Sequence, residues 1–229
     1  MERKDILKKA FKASLPVMGG YLMLGMGFGI LLGYAGYGLP WAFFMSLFIF
    51  AGSMQYALVP MMAGGASLLT VALSTFVINF RHIFYGLSMI DRYKGAGKKK
   101  PYLIYALTDE TYSLVSVGND DMEKEDYLSY CFWLSLMDHS YWVAGSVLGS
   151  LLGDFLPFDT EGVDFVLTAL FIAILVQQWT ESKDKRPALI GLGVTLLCRM
   201  VFGAANFLIP SMLLMTLALF LIRPKEERS

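Results

Sequence analysis

Charge is scarce wherever this sequence runs long without a turn. Of its 38 charged residues, 29 fall in five clusters, at 2–12, 91–100, 120–126, 181–186 and 223–228. Four more, Asp154, Asp159, Glu161 and Asp164, share one acidic loop. Only Arg81, Asp109, Glu110, Asp138 and Arg199 stand inside apolar segments. Cysteine is nearly absent: Cys131 and Cys198 both lie in apolar runs with no CxxC spacing, so neither a disulfide framework nor a metal site is indicated. No HExxH, Walker A or nucleophile-elbow pattern occurs, so nothing points to an enzyme, a cofactor or a metal. The net charge is zero and the basic residues sit in short clusters between apolar runs, which gives no footing for a nucleic-acid partner.

What fills the rest is hydrocarbon. The chain is 56% hydrophobic with a mean hydropathy of +0.55, and its apolar runs are apolar all round rather than striped. Eight segments can be marked: 13–36, 41–62, 66–90, 101–117, 127–153, 165–180, 187–205 and 207–222. A helix needs about 20 residues to cross the hydrocarbon, so the fourth, sixth and eighth are short. The pattern predicts an all-α polytopic membrane protein with six to eight membrane segments. The basic start, "MERKDILKKAFK", lacks a following small-residue cleavage site and reads as a retained cytoplasmic tail.

Lysine and arginine set the orientation. They number five in 1–12, five in 92–100, three in 183–186 and three in 223–228, whereas the linker 118–126 has only Lys124. If each segment crossed once from a cytoplasmic N-terminus, the basic loop "DRYKGAGKKK" would emerge outside. The conflict disappears if the first and fifth segments are broken or re-entrant. Segment one carries Pro16 and eight glycines between residues 14 and 38, a composition that suits a break. The halves also resemble each other: Gly25, Gly29 and Gly33 match Gly145, Gly149 and Gly153, Tyr21 matches Tyr141, Gln55 matches Gln178, and Arg81 matches Arg199. The expectation is an inverted repeat: a basic cytoplasmic tail (1–12), a first repeat (13–117), an acidic outward linker (118–126), a second repeat (127–222) and a cytoplasmic tail (223–229).

A charge at the bilayer centre costs about 2.5–3.5 kcal/mol on insertion scales, so the five interior charges must pair or face water. Structural ion pairs between repeats and a solute pathway are both open readings. Asp109 and Glu110 are neighbours in "LTDET" and should point about 100° apart on a helix. Alternatively, Thr108 caps a helix whose first turn holds both acids, which would break segment four. Ser53, Gln55, Asn79 and Gln178 add polar groups that suit either interhelical hydrogen bonds or a pathway. His82 and His139 read as satisfied histidines.

"FAGSMQY", "NFRHIFYG" and "LTDET", with "DFVLTALFIAILVQQW" in the second half, resemble the AzlC family of branched-chain amino acid exporters over roughly residues 10–205. The resemblance implies a secondary transporter of the bacterial cytoplasmic membrane, with both termini cytoplasmic. It implies export of hydrophobic amino acids with a small AzlD-like membrane subunit as partner. Proton coupling fits the interior carboxylates. Ser53, Gln55, Asn79, Arg81, Asp109, Glu110, Asp138, Gln178 and Arg199 are the pathway candidates. A channel-like uniporter for another small solute and a structural membrane subunit are the competing readings. Met54 and "MDHSYW" depart from the usual family wording and leave substrate preference open.

Overall fold

The computed structural model describes residues 2–116, 122–155 and 185–207, with 172, 176, 179, 210, 211, 213–215, 217 and 218. Its ordered elements are helices, with no strand among the described residues. The chain divides into two compact units, Met1–Val163 and Asp164–Ser229.

Two helices of 32 residues, α1 (Arg3–Tyr34) and α8 (Lys124–Phe155), frame the first unit. Each spans about 48 Å, more than the roughly 30 Å of hydrocarbon. They run parallel. Arg3 lies over Trp133, Ser14 reaches Met137 and Tyr141, Gly25 meets Gly145 and Ser146, and Gly29 meets Gly149 and Ser150. We call the end holding Arg3 basal and the other distal.

Here the structure corrects the sequence reading. The first and fifth segments are neither broken nor re-entrant. Their glycines recur every fourth residue and so share one helix face, where they let two backbones touch. A Cβ on Gly145 would stand 2.7 Å from the Leu22 carbonyl, and one on Gly149 would fall on the backbone of Met26. Pro16 is accommodated within α1. The likeness of the two segments is therefore realised as a parallel, in-register pair, which an inverted relation between them does not allow. The first turn of α8 accordingly sits at the basal end, with the Lys124 ammonium donating to the Asp91 carbonyl at 2.9 Å.

The breaks fall in the second, third and fourth segments. The second gives α2 (Leu39–Phe48) and α3 (Gly52–Ala63). The third gives α4 (Leu68–Asn79) and α5 (Arg81–Met89), bent by 50°. The fourth gives α6 (Lys100–Tyr105) and α7 (Asp109–Ser116).

Contacts along α8 show where α6 and α7 go. Lys99 bonds Ser129, Tyr102 bonds His139, Thr111 bonds Asp138, and the Val115 carbonyl accepts from Tyr127. The segment climbs halfway up α8 and returns, a hairpin entering from the basal end. The second segment does the reverse. Its α2 starts just after the distal end of α1, where the Tyr37 amide donates to the Leu32 carbonyl. It descends until the Ser46 and Leu47 carbonyls meet His139 and Tyr105. Next, α3 packs against α4, whose continuation, α5, carries Met89 into a basal core with Ile6, Tyr93, Leu103, Val115 and Tyr127. Arg81, where α5 begins, bonds Ser53 near the start of α3, so α3 climbs back to the distal end.

Beside this apolar core, polar side chains are buried and large apolar ones face outward. Gln55, Asp138, Ser14 and Ser135 are fully buried, while Leu68 is 89% exposed and, in the second unit, Met200 is 84% exposed. Among the described residues, Arg3–Tyr34 and Arg186–Gly203 are long and apolar enough to cross a membrane, and the bent α4–α5 pair makes a third if it is one span. The second of these belongs to α9 (Arg186–Asn206), the long helix described in the second unit, where Gly203 interrupts the helical backbone at φ 74°.

Candidate functional site

The tips of the two hairpins meet midway along α8. The Tyr105 hydroxyl donates to the Leu47 carbonyl at 2.6 Å, and Phe50 lies against Tyr105 and His139. Phe50 occupies the left-handed region at φ 41°, an uncommon conformation for a residue with a side chain. Tyr21, Tyr105 and His139 hold it there and so hold the break between α2 and α3.

"LTDET" forms the other tip, and both readings of it are realised. The Thr108 hydroxyl accepts from the Thr111 amide at 3.3 Å, capping α7, whose first turn holds Asp109 and Glu110. The acids also work apart, as adjacent helical positions should. Asp109 forms an ion pair with Arg81 at 2.9 Å, both side chains about two-fifths exposed. Arg81 in turn donates to the Ser53 hydroxyl at 3.3 Å. Three broken helices thus bring their starts to one place: Ser53 of α3, Arg81 of α5 and Asp109 of α7. A helix start carries about half a positive charge, so the site joins a guanidinium and the positive ends of α3 and α7 to a carboxylate.

Glu110 turns toward α1. The Tyr21 hydroxyl lies 2.7 Å from its Oε2 and 2.6 Å from the Thr108 hydroxyl. From Thr108 the contacts continue to the Thr111 hydroxyl at 3.1 Å, which lies 2.8 Å from Asp138 Oδ2. Asp138 is fully buried. Around this line lies a second buried set: Gln55 accepts from the Trp142 indole at 3.0 Å and donates to Ser46 at 3.4 Å. His139 bridges Tyr102 and the Ser46 carbonyl, the satisfied role expected of it.

Of the nine candidate residues, the structure gathers six: Ser53, Gln55, Arg81, Asp109, Glu110 and Asp138. Asn79 precedes the bend, where its backbone carbonyl meets His82. Arg199 belongs to the second unit, exposed and over the Phe207 ring at 5.8 Å. Gln178 lies outside the described residues. Sequence reasoning passed over Tyr21, Thr111 and Trp142. Tyr21 carried a faint signal, a tyrosine on the glycine face of segment one, but nothing local distinguishes it from an interfacial tyrosine.

Comparison with known proteins matches residues 16–156 to the family described as AzlC protein. The branched-chain amino acid transport protein AzlC of Bacillus subtilis is 38% identical over 222 residues, covering 97% of this chain and 87% of that one. An uncharacterized membrane protein of Helicobacter pylori is 39% identical over 96% of both chains. The inner membrane protein YgaZ of Escherichia coli is 30% identical over 81% of this chain and 80% of its own. No solved structure matches the chain.

Proposed function

Because this chain belongs to the AzlC family, we propose that it moves branched-chain amino acids across the bacterial cytoplasmic membrane, in the direction of export. The observation that carries the reading is the Arg81–Asp109 pair, partly exposed between two hairpin tips. An aliphatic amino acid presents a carboxylate and an ammonium a few ångströms apart. Inserted into the pair, it would give its carboxylate to Arg81 and the helix starts, and its ammonium to Asp109.

The basal end is cytoplasmic in this proposal, because it gathers the basic N-terminal turns of α1 and the loop 91–100. Re-entry of the second segment, rather than the first, returns that loop to the same side. Transport is coupled to protons and assisted by a small AzlD-like membrane subunit. Cells expressing this chain with such a subunit should accumulate less leucine or valine analogue than cells without it. Equal levels, with both proteins present in the membrane, would reject the function; equal export without the subunit would reject only the partner.

A further inference from the structure

We propose that Asp138 and Glu110 share one proton through a hydroxyl wire, Thr111–Thr108–Tyr21, which links the buried centre of α8 to the exposed start of α7. Four contacts connect the two carboxylates: 2.8 Å from Asp138 to Thr111, 3.1 Å to Thr108, 2.6 Å to Tyr21 and 2.7 Å to Glu110. A continuous line needs a proton in each, and the three hydroxyls supply only three. With both carboxylates ionised, the longest contact, 3.1 Å between Thr108 and Thr111, is left without a proton and the line is open there. A fourth proton, on either carboxylate, completes the line.

Two arrangements satisfy it. With the proton on Asp138, that acid donates to Thr111, Thr111 to Thr108, Thr108 to Tyr21, and Tyr21 to the Glu110 carboxylate. With the proton on Glu110, every bond runs the other way and Asp138 is the anion. Passing between them breaks the Asp138 O–H bond and forms one on Glu110, while each hydroxyl hands on its own proton and takes its neighbour's. Net charge is conserved and no other reactant is needed.

The remaining titratable groups nearby do not take over the line. Arg81 is paired with Asp109, Tyr85 is stacked on Tyr112, Tyr102 bonds His139, and Tyr105 donates to Leu47. Asp138 Oδ1 is buried and accepts no hydrogen bond, so Thr111 is its outlet. Use of the wire to couple protons to transport rests on the function proposed above; the proton count does not.

Infrared difference spectroscopy on the full chain in lipid, without substrate, tests it. The wild type should show the carbonyl band of a protonated carboxylic acid that shifts in D2O. Glu110→Gln should abolish that band although Asp138 remains, because the new amide donates to Tyr21 and completes the line without the extra proton. Asp138→Asn should abolish it in the same way from the other end. No band in the wild type, or a band that survives Glu110→Gln, overturns the proposal, since the proton is then absent or belongs to Asp138 alone. Glu110 is exposed, so this variant decides the matter even if Asp138→Asn does not fold. Failure here leaves the transport reading standing, which export of a leucine analogue tests separately.

Discussion

Arg81 and Asp109 pair between the hairpin tips, and that makes their removal informative in two steps. Neutralising one partner strands a charge between the tips, which in a buried setting costs about 3–5 kcal/mol. The exposure of this pair places its cost below that range. Arg81→Gln and Asp109→Asn should each lower the yield of folded protein extracted from membranes, and the double variant should recover it. If the pair binds a zwitterion, the recovered double variant transports nothing. Wild-type transport by the double variant would make the pair structural. Thr108 offers a graded test of the cap. Thr108→Ser keeps the hydroxyl, while Thr108→Val should cost about 1 kcal/mol of stability, read as a lower midpoint in thermal unfolding.

At the scale of helices, the glycine seam makes a sharp prediction. Gly149→Ala puts a methyl on the Met26 backbone, where no rotamer can yield, whereas Gly153→Ala meets Ile30 at an ordinary 3.6 Å. The first should abolish recovery of folded protein in detergent and the second should not. This seam also shows what could be read in advance. The four-residue glycine spacing was visible, yet the same residues suit a break or a close contact, and only a partner helix decides between them. The break at Thr108 was legible because its signal is local: a capping hydroxyl followed by two acids. The break at Phe50 was not, because its cause is tertiary. Tyr21, Tyr105 and His139 impose a left-handed conformation that "FIFAGS" does not announce. The six gathered polar residues were legible for the opposite reason: a polar group in an apolar run requires a partner. Their mutual pairing required the fold.

At the scale of the whole first unit, the hairpins α2–α3 and α6–α7 enter from opposite ends. This changes one side assignment. In a chain with Cys131 and Cys198 replaced by alanine, Lys94→Cys and Glu123→Cys should react with a membrane-impermeant reagent from the same side, and Ala63→Cys from the other. Labelling of positions 94 and 123 from opposite sides would reject the parallel run of α1 and α8.

The glycine seam has a mechanical consequence as well. Two backbones meshed at Gly25, Gly29, Gly145 and Gly149 cannot slide, because a shift of one residue would drive side chains into carbonyls. The α1–α8 pair is then a stator. If the transport proposed above opens the unit first to one side and then to the other, the turning part lies elsewhere, and the distal hairpin has pivots for it. Gly36, at φ 84°, precedes α2, and Gly65, at φ 64°, follows α3. Stiffening both pivots should stall the alternation while leaving the frame as stable as before.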